Sequence, residues 1–248
     1  MTDAIAVSDD GAVRTIRMNR PEKKNALTLA MYAAMTAALQ EADKSGAIRC
    51  VLFAGTADVF TAGNDLGDFM KAAAGGLDRS AHDFITALAR TQKPMVAAVN
   101  GVAVGVGATM LLHCDHVVAG TGATLSTPFL RLGLIPEAAS TLLAPMRMGY
   151  ARAFSFMAMG RPLSAADAKD AGLVNAVVDP TEVETVARKA AQEIAALPPR
   201  ALALARSLMR LPVETVIERM ETESGHYTDL VQSDEARAAF QAFFARKK

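Results

Sequence analysis

Short apolar runs and apolar residues at helical spacing take turns through most of the chain, and helix-compatible sequence fills the rest. At the start, Ala4 to Val7 and Val13 to Met18 flank the turn signal Asp9-Asp10-Gly11, which predicts a hairpin. Asn19-Arg20-Pro21 ends the second strand, and Glu22-Lys23-Lys24-Asn25 reads as a polar loop. Met31, Met35 and Leu39 recur every four positions, which predicts a helix capped by Thr28. Cys50 to Ala54 is a short buried strand. Ala72 to Ser80, with Gly75-Gly76, is a surface loop. Pro94 to Val104 reads as one buried strand that leads into a Gly-rich turn and a helix around Thr109 to Cys114, with a further strand at His116 to Ala119. From Ser164 the character changes. Ser164 with Asp167 and Thr181 with Glu184 both fit capping boxes, and Gly172 is a natural helix stop. Beyond Thr181 almost everything is helix-compatible, broken at Pro198-Pro199 and Pro212. Strands alternating with helices, followed by a run of helices, predict an α/β core with an α-helical C-terminal region.

Composition narrows the function classes. The 248 residues, 51% of them hydrophobic, suffice for one full-sized core, or one with a small appendage. Lys and Arg number 26, as do Asp and Glu, so formal net charge is zero and no basic stripe directs the surface to nucleic acid. The apolar segment Pro94 to Gly107 is too short and Gly-interrupted to span a membrane. Met1-Thr2-Asp3-Ala4 lacks a basic stretch followed by an apolar run, so the expectation is a cytoplasmic protein without a signal peptide. Cys50 and Cys114 show neither metal-type nor redox-type spacing and read as free buried thiols. Abundant Ala allows close helix packing. No metal or separate cofactor is expected.

Two segments look like backbone cradles for a negatively charged oxygen: Phe60-Thr61-Ala62-Gly63-Asn64-Asp65-Leu66, and Asn100-Gly101-Val102-Ala103-Val104-Gly105-Val106-Gly107. Gly beside an amide donor lets a ligand approach the backbone. Preorganised amides contribute about 3 kcal/mol each to a developing oxyanion. Ala62 and Val106 are the expected donors, and a helix opening at Val106 adds favourable potential. A dinucleotide fingerprint does not fit, because the third Gly position holds Met110.

These motifs, with Asn19-Arg20-Pro21, Asn25-Ala26-Leu27, Cys114-Asp115 and Arg161-Pro162-Leu163-Ser164-Ala165 through Ala171-Gly172-Leu173-Val174, resemble the crotonase (enoyl-CoA hydratase/isomerase) superfamily over nearly the whole chain. The resemblance implies a ββα spiral core over residues 1–190 and a C-terminal helical trimerisation region over 191–248. It also implies a homotrimer or dimer of trimers and an acyl-CoA thioester substrate, coenzyme A being part of that substrate. The amides of Ala62 and Val106 would hold the thioester oxygen. Lys24, Ala26, Leu27, Gly63, Asn64, Asp65, Leu66, Gly105 and Phe129 would line the CoA-ester site. Phe243 and Arg246 lie on a last helix that in the family often covers CoA, sometimes on a neighbouring subunit. Asp65 fits adenine binding and loop fixing equally.

Fold does not fix reaction, so carboxylates must choose. Family hydratases resemble one another in two glutamates, and here those positions hold Thr109 and Phe129. Glu137, in Leu134-Ile135-Pro136-Glu137, stands where similar Δ3,Δ2-enoyl-CoA isomerases of the peroxisomal type carry their single base. The expectation is therefore an enoyl-CoA isomerase with Glu137 as acid and base. A hydratase and a non-catalytic acyl-CoA-binding protein are the alternatives. His113 and His116 read as structural. Met31, Met35, Met70 and the Met146-Arg147-Met148 neighbourhood include candidates for an acyl tunnel wall.

Overall fold

A computed structural model describes residues 3–56, 58–65, 67–68 and 79–245, with side chains as far as Ala242. The hairpin forms: β1 (Ile5–Asp10) pairs antiparallel with β2 (Val13–Met18), and Gly11 at φ +57° closes the turn between Asp10 and Val13. The remaining strands are β3 (Cys50–Ala54), β4 (Val59–Thr61), β5 (Met95–Val99), β6 (Val102–Val104), β7 (His116–Gly120), β8 (Thr124–Ser126), β9 (Leu163–Ser164) and β10 (Ala176–Val178). They form a six-stranded sheet in the order β1-β2-β3-β5-β7-β10 and a four-stranded sheet in the order β4-β6-β8-β9. Each of three successive turns of chain gives one strand to each sheet: β3 then β4, β5 then β6, β7 then β8. That stepping makes a ββα spiral.

The single strand expected over Pro94 to Val104 is two strands in two sheets. The break falls at Asn100-Gly101. Gly101 has φ +63°, and a Cβ there would run into the carbonyl oxygen of Asp58. An apolar run cannot reveal such a corner, because both halves are equally buried.

The helices are α1 (Leu29–Lys44), α2 (Ser80–Arg90), α3 (Val106–Thr109), α4 (Ser140–Met148), α5 (Tyr150–Ala153), α6 (Ala165–Asp170), α7 (Val183–Ala196), α8 (Pro199–Met209), α9 (Val213–Val231) and α10 (Asp234–Ala245). Thr28 caps α1 as expected, its hydroxyl accepting from the Met31 amide at 3.2 Å, and Met31, Met35 and Leu39 are buried beneath it. The expected helix at Thr109 to Cys114 is a 3₁₀ turn, Met110–His113, continuing α3. Ser164 and Asp167 form the expected capping box on α6. The second box fails: the Thr181 hydroxyl donates to Asp179 at 2.6 Å, and Glu184 pairs with Arg17 and Arg188 instead. Most of Ala72 to Ser80 lies outside the described residues, and Ser80 opens α2. Among the described residues no helix is long and apolar enough to cross a membrane.

The central strands of the large sheet, β3, β5 and β7, are buried on both faces, as their near-continuous apolar runs require. Cys50, Leu52 and Ala54 with Val96, Ala98 and Val118 face α7, whose Val183, Ala187, Ala191 and Ala195 form one stripe at i, i+4 spacing. Small side chains let this helix lie close on the strands. The opposite face carries Val51, Phe53, Ala97 and Val117 into the main core beneath α1 and α2. The boundary expected at residue 190 lies inside α7, which packs on the sheet. Ala191→Leu overpacks this layer, and the expected cost is about 1–3 kcal/mol, seen as a lower urea midpoint with an unchanged slope.

Candidate active site

The loop after β2 builds the first wall. Asn25, fully buried at φ +52°, sends its amide nitrogen to the carbonyls of Val59 (3.0 Å) and Phe60 (3.1 Å) and accepts from the Arg20 amide at 2.7 Å. Thr61 returns a hydroxyl bond to the Asn25 carbonyl at 2.7 Å. Residues 24–27 thus lie along residues 62–65. The Leu27 amide donates to Gly63, and the Asp65 amide donates to Leu27, each at 2.8 Å.

This pairing decides which amides remain to meet a ligand. The Ala62 amide donates to the Lys24 carbonyl at 2.9 Å, and the Gly63 amide to the Thr61 hydroxyl at 3.1 Å. The expectation that Ala62 is the first oxyanion donor is therefore corrected: its N–H is already spent on the protein. In the first cradle the Asn64 amide donates to no acceptor among the described residues, and in the second the Val106 amide is likewise uncommitted. The turns touch. A Cβ on Gly63, at φ +84°, would come 2.8 Å from the Val104 carbonyl oxygen, and one on Gly107 would collide with Thr61. Both free amides belong to residues that line one cavity of about 750 Å³, with Lys24, Ala26, Gly105 and Phe129 also in its wall.

A smaller chamber of about 210 Å³ adjoins it, the two sharing Asn64, Asp65 and Tyr227. Glu137 lines this chamber with Tyr32, Met220 and Glu223. It is half-buried, and its carboxylate accepts no hydrogen bond among the described residues. Burial, then the charge of Glu223, pushes its pKa up to about 7. Burial, then the charge of Glu137, raises those of Tyr32 and Tyr227; Tyr32 donates to the Asn64 side chain.

The backbone after Glu137 is strained. Ala138 (φ +63°) and Ala139 (φ +53°) are consecutive left-handed residues without the freedom of glycine. Two buried side chains hold them. Glu223, 3% exposed on α9, accepts from the Ala139 amide (2.7 Å), the Thr141 amide (3.0 Å) and the Thr141 hydroxyl (2.6 Å), so it caps α4 from another helix. His113 Nε2 meets the Ala138 carbonyl at 2.8 Å, and burial drives its pKa down to about 4. A neutral imidazole facing a carbonyl must donate from that nitrogen.

The sequence family described as enoyl-CoA hydratase/isomerase matches residues 8–248. The chain belongs to that family. It is an enzyme family whose members act on acyl-CoA thioesters. Enoyl-CoA delta isomerase 2 of Rattus norvegicus is 37% identical over 213 residues, covering 83% of this chain; the chain spans only 54% of that relative's length. The 1,2-epoxyphenylacetyl-CoA isomerase of Escherichia coli is 31% identical, covering 100% of this chain and 97% of its own. The crystal structure of an enoyl-CoA hydratase/isomerase from Pseudoalteromonas atlantica T6c matches with a TM-score of 0.93 at 39% identity, covering 98% of each chain. The spiral is the crotonase fold.

The positions that the family resemblance assigns to hydratase acids hold Thr109 and Phe129. Thr109 is fully buried, its hydroxyl on the Val106 carbonyl at 3.4 Å, and Phe129 packs against Leu134 and Phe240. Asp65 fixes its loop: it pairs with Arg20 at 2.7 Å, which holds its carboxyl below the usual range. Ala239, Phe240 and Ala242 place α10 over the large cavity of its own chain. Phe243 lies on α10 beyond the described side chains, and Leu66, Met70 and Arg246 lie outside the described residues. Met31 and Met35 are core residues, and Met146 is exposed; the methionine in the chamber wall is Met220. Sequence reasoning also missed Glu223, Tyr32 and Tyr227. None carries a local motif, and each joins the site only through tertiary packing. In carbon NMR titrations of side-chain carboxyls, Glu137 of the wild-type enzyme is expected to titrate near 7. In Glu223→Gln that midpoint falls, because a like charge is gone.

Proposed function

We propose that this enzyme is a Δ3,Δ2-enoyl-CoA isomerase. The observation that carries the reading is the carboxylate of Glu137, without a hydrogen-bond partner among the described residues, in a chamber that adjoins a cavity bearing two uncommitted amides. The thioester carbonyl sits against the Asn64 and Val106 amides. Glu137 takes a proton from C2 of a 3-enoyl-CoA. The electron pair moves through the 3,4 double bond and the carbonyl, giving a dienolate whose oxygen carries the charge. The same carboxylic acid returns that proton at C4, leaving the double bond at C2. The proton taken is the proton returned, and no water enters.

One base near neutral pKa suits both halves of this exchange. Glu223 is unsuited to the role, because its oxygens accept three hydrogen bonds from the 139–141 turn. A hydratase needs an acid and a base on opposite sides of added water, and Thr109 and Phe129 supply neither. The relative from Rattus norvegicus is named an enoyl-CoA delta isomerase, which supports the same reading, while others at about 30% identity are named probable enoyl-CoA hydratases.

The test uses 3-hexenoyl-CoA and, separately, 2-hexenoyl-CoA, with products identified by mass and retention. The first is expected to become 2-hexenoyl-CoA, and the second to gain no water. Hydration of the second overturns the reading, and tight binding without turnover of either points to an acyl-CoA-binding protein. Glu137→Gln is expected to keep CoA-ester affinity and lose kcat on the order of a hundred- to ten-thousand-fold. In the wild type, kcat/KM for 3-hexenoyl-CoA rises with pH through about 7, because the base works only when ionised.

A further inference from the structure

A third cavity, of about 570 Å³, shares no wall residue with the other two and lies between the end of α2, the Met110–His113 turn, α4 and α8. Arg90, Arg147, Arg206 and Arg210 line it. Three of these guanidinium groups converge on the segment Leu112 to Asp115, two on its backbone and one on the Asp115 carboxylate. Arg147 donates to the carbonyls of Leu112 and Cys114, each at 3.0 Å, and Arg210 to that of His113 at 3.3 Å. Arg206, 8% exposed, pairs with Asp115 at 2.9 Å and reaches the carbonyls of Thr91 and Gln92.

The charges do not balance. Asp115 is one carboxylate among three converging cations. Burial, then the charge of Arg206, depresses the pKa of Arg210. Buried polar atoms are normally paired, yet Arg206 Nη2, buried behind this wall, has no hydrogen-bond partner among the described residues. Guanidinium forks suit oxyanions, and several forks from separate elements suit an anion with oxygens in several directions better than one planar carboxylate.

We propose that this cavity binds a small phosphate-type anion, held by Arg147, Arg206 and Arg210 with Arg90 at the rim. Through His113 its wall reaches the Ala138 carbonyl, so the site adjoins the turn that carries Glu137. The ligand is free phosphate or the phosphate group of a small metabolite.

Isothermal titration with inorganic phosphate and with pyrophosphate, at constant ionic strength and with saturating coenzyme A, tests this. Saturable binding is expected at one site per chain, with a rise in thermal midpoint that chloride does not reproduce. Tighter binding of pyrophosphate favours a larger phosphate metabolite; equal or weaker binding favours free phosphate. Arg210→Gln is expected to weaken phosphate binding about tenfold or more, the loss of one charge-assisted hydrogen bond, with coenzyme A affinity unchanged. Arg90→Gln, at the exposed rim, repeats the comparison with little risk to the fold. Absence of saturable heat, displacement of phosphate by coenzyme A, or equal affinity in both variants overturns the proposal. So does a fall in oligomeric size in the variants without any phosphate effect, which would mean that a second copy walls the cavity.

Discussion

The site depends on the contact between two backbone turns from successive windings of the spiral. Gly63 lies so close to the Val104 carbonyl, and Gly107 to Thr61, that a side chain at either glycine would force the windings apart. Their amides are useful together only at this separation, because an oxyanion must meet both donors at hydrogen-bond length. The loop from Lys24 to Leu27 completes the arrangement by consuming the neighbouring N–H groups and leaving those of Asn64 and Val106. The central strands of the large sheet, buried on both faces, hold the windings in register.

The candidate base is governed by a second constraint, the unequal treatment of two neighbouring carboxylates. Glu223 is deeply buried but supplied with three donors, which offset much of the cost of its charge. Glu137 has none of these and shares its chamber with apolar side chains and two tyrosines. Environment therefore pushes the two groups toward different tasks, one structural and one chemical. The left-handed alanine pair between them is the mechanical link, stabilised by His113 on one side and Glu223 on the other.

Much of this was legible in the sequence wherever the cause is local. The Thr28 cap, the Ser164 box, the Gly11 turn and the buried strand at Cys50 all follow from neighbouring residues, and the structure contains each. The two glycine turns and the family were legible because motifs retain their order and spacing. Where the cause is distant, the reading failed. Whether Ala62 or Asn64 presents a free amide depends on pairing with the Lys24 to Leu27 loop, far away in sequence, where the Lys24 carbonyl takes the Ala62 amide. Thr181 lost its cap to Asp179, and Glu184 was claimed by Arg17 from the opposite end of the chain. Glu223 is an unremarkable helical glutamate until α9 meets the turn after Glu137.

The spiral also carries a kinetic consequence. Its parallel ladders join residues far apart along the chain: Val13 opposite Cys50, Val51 opposite Met95, and Val118 opposite Ala176. None of these pairs can form before a long loop closes, so the chain spends entropy before the ladder returns any bonding. Folding then belongs to the slow class of non-local topologies, and the apolar strands that end up covered by α7 are exposed to other chains until that helix arrives. The layer that makes the native enzyme compact is thus its point of greatest vulnerability during synthesis.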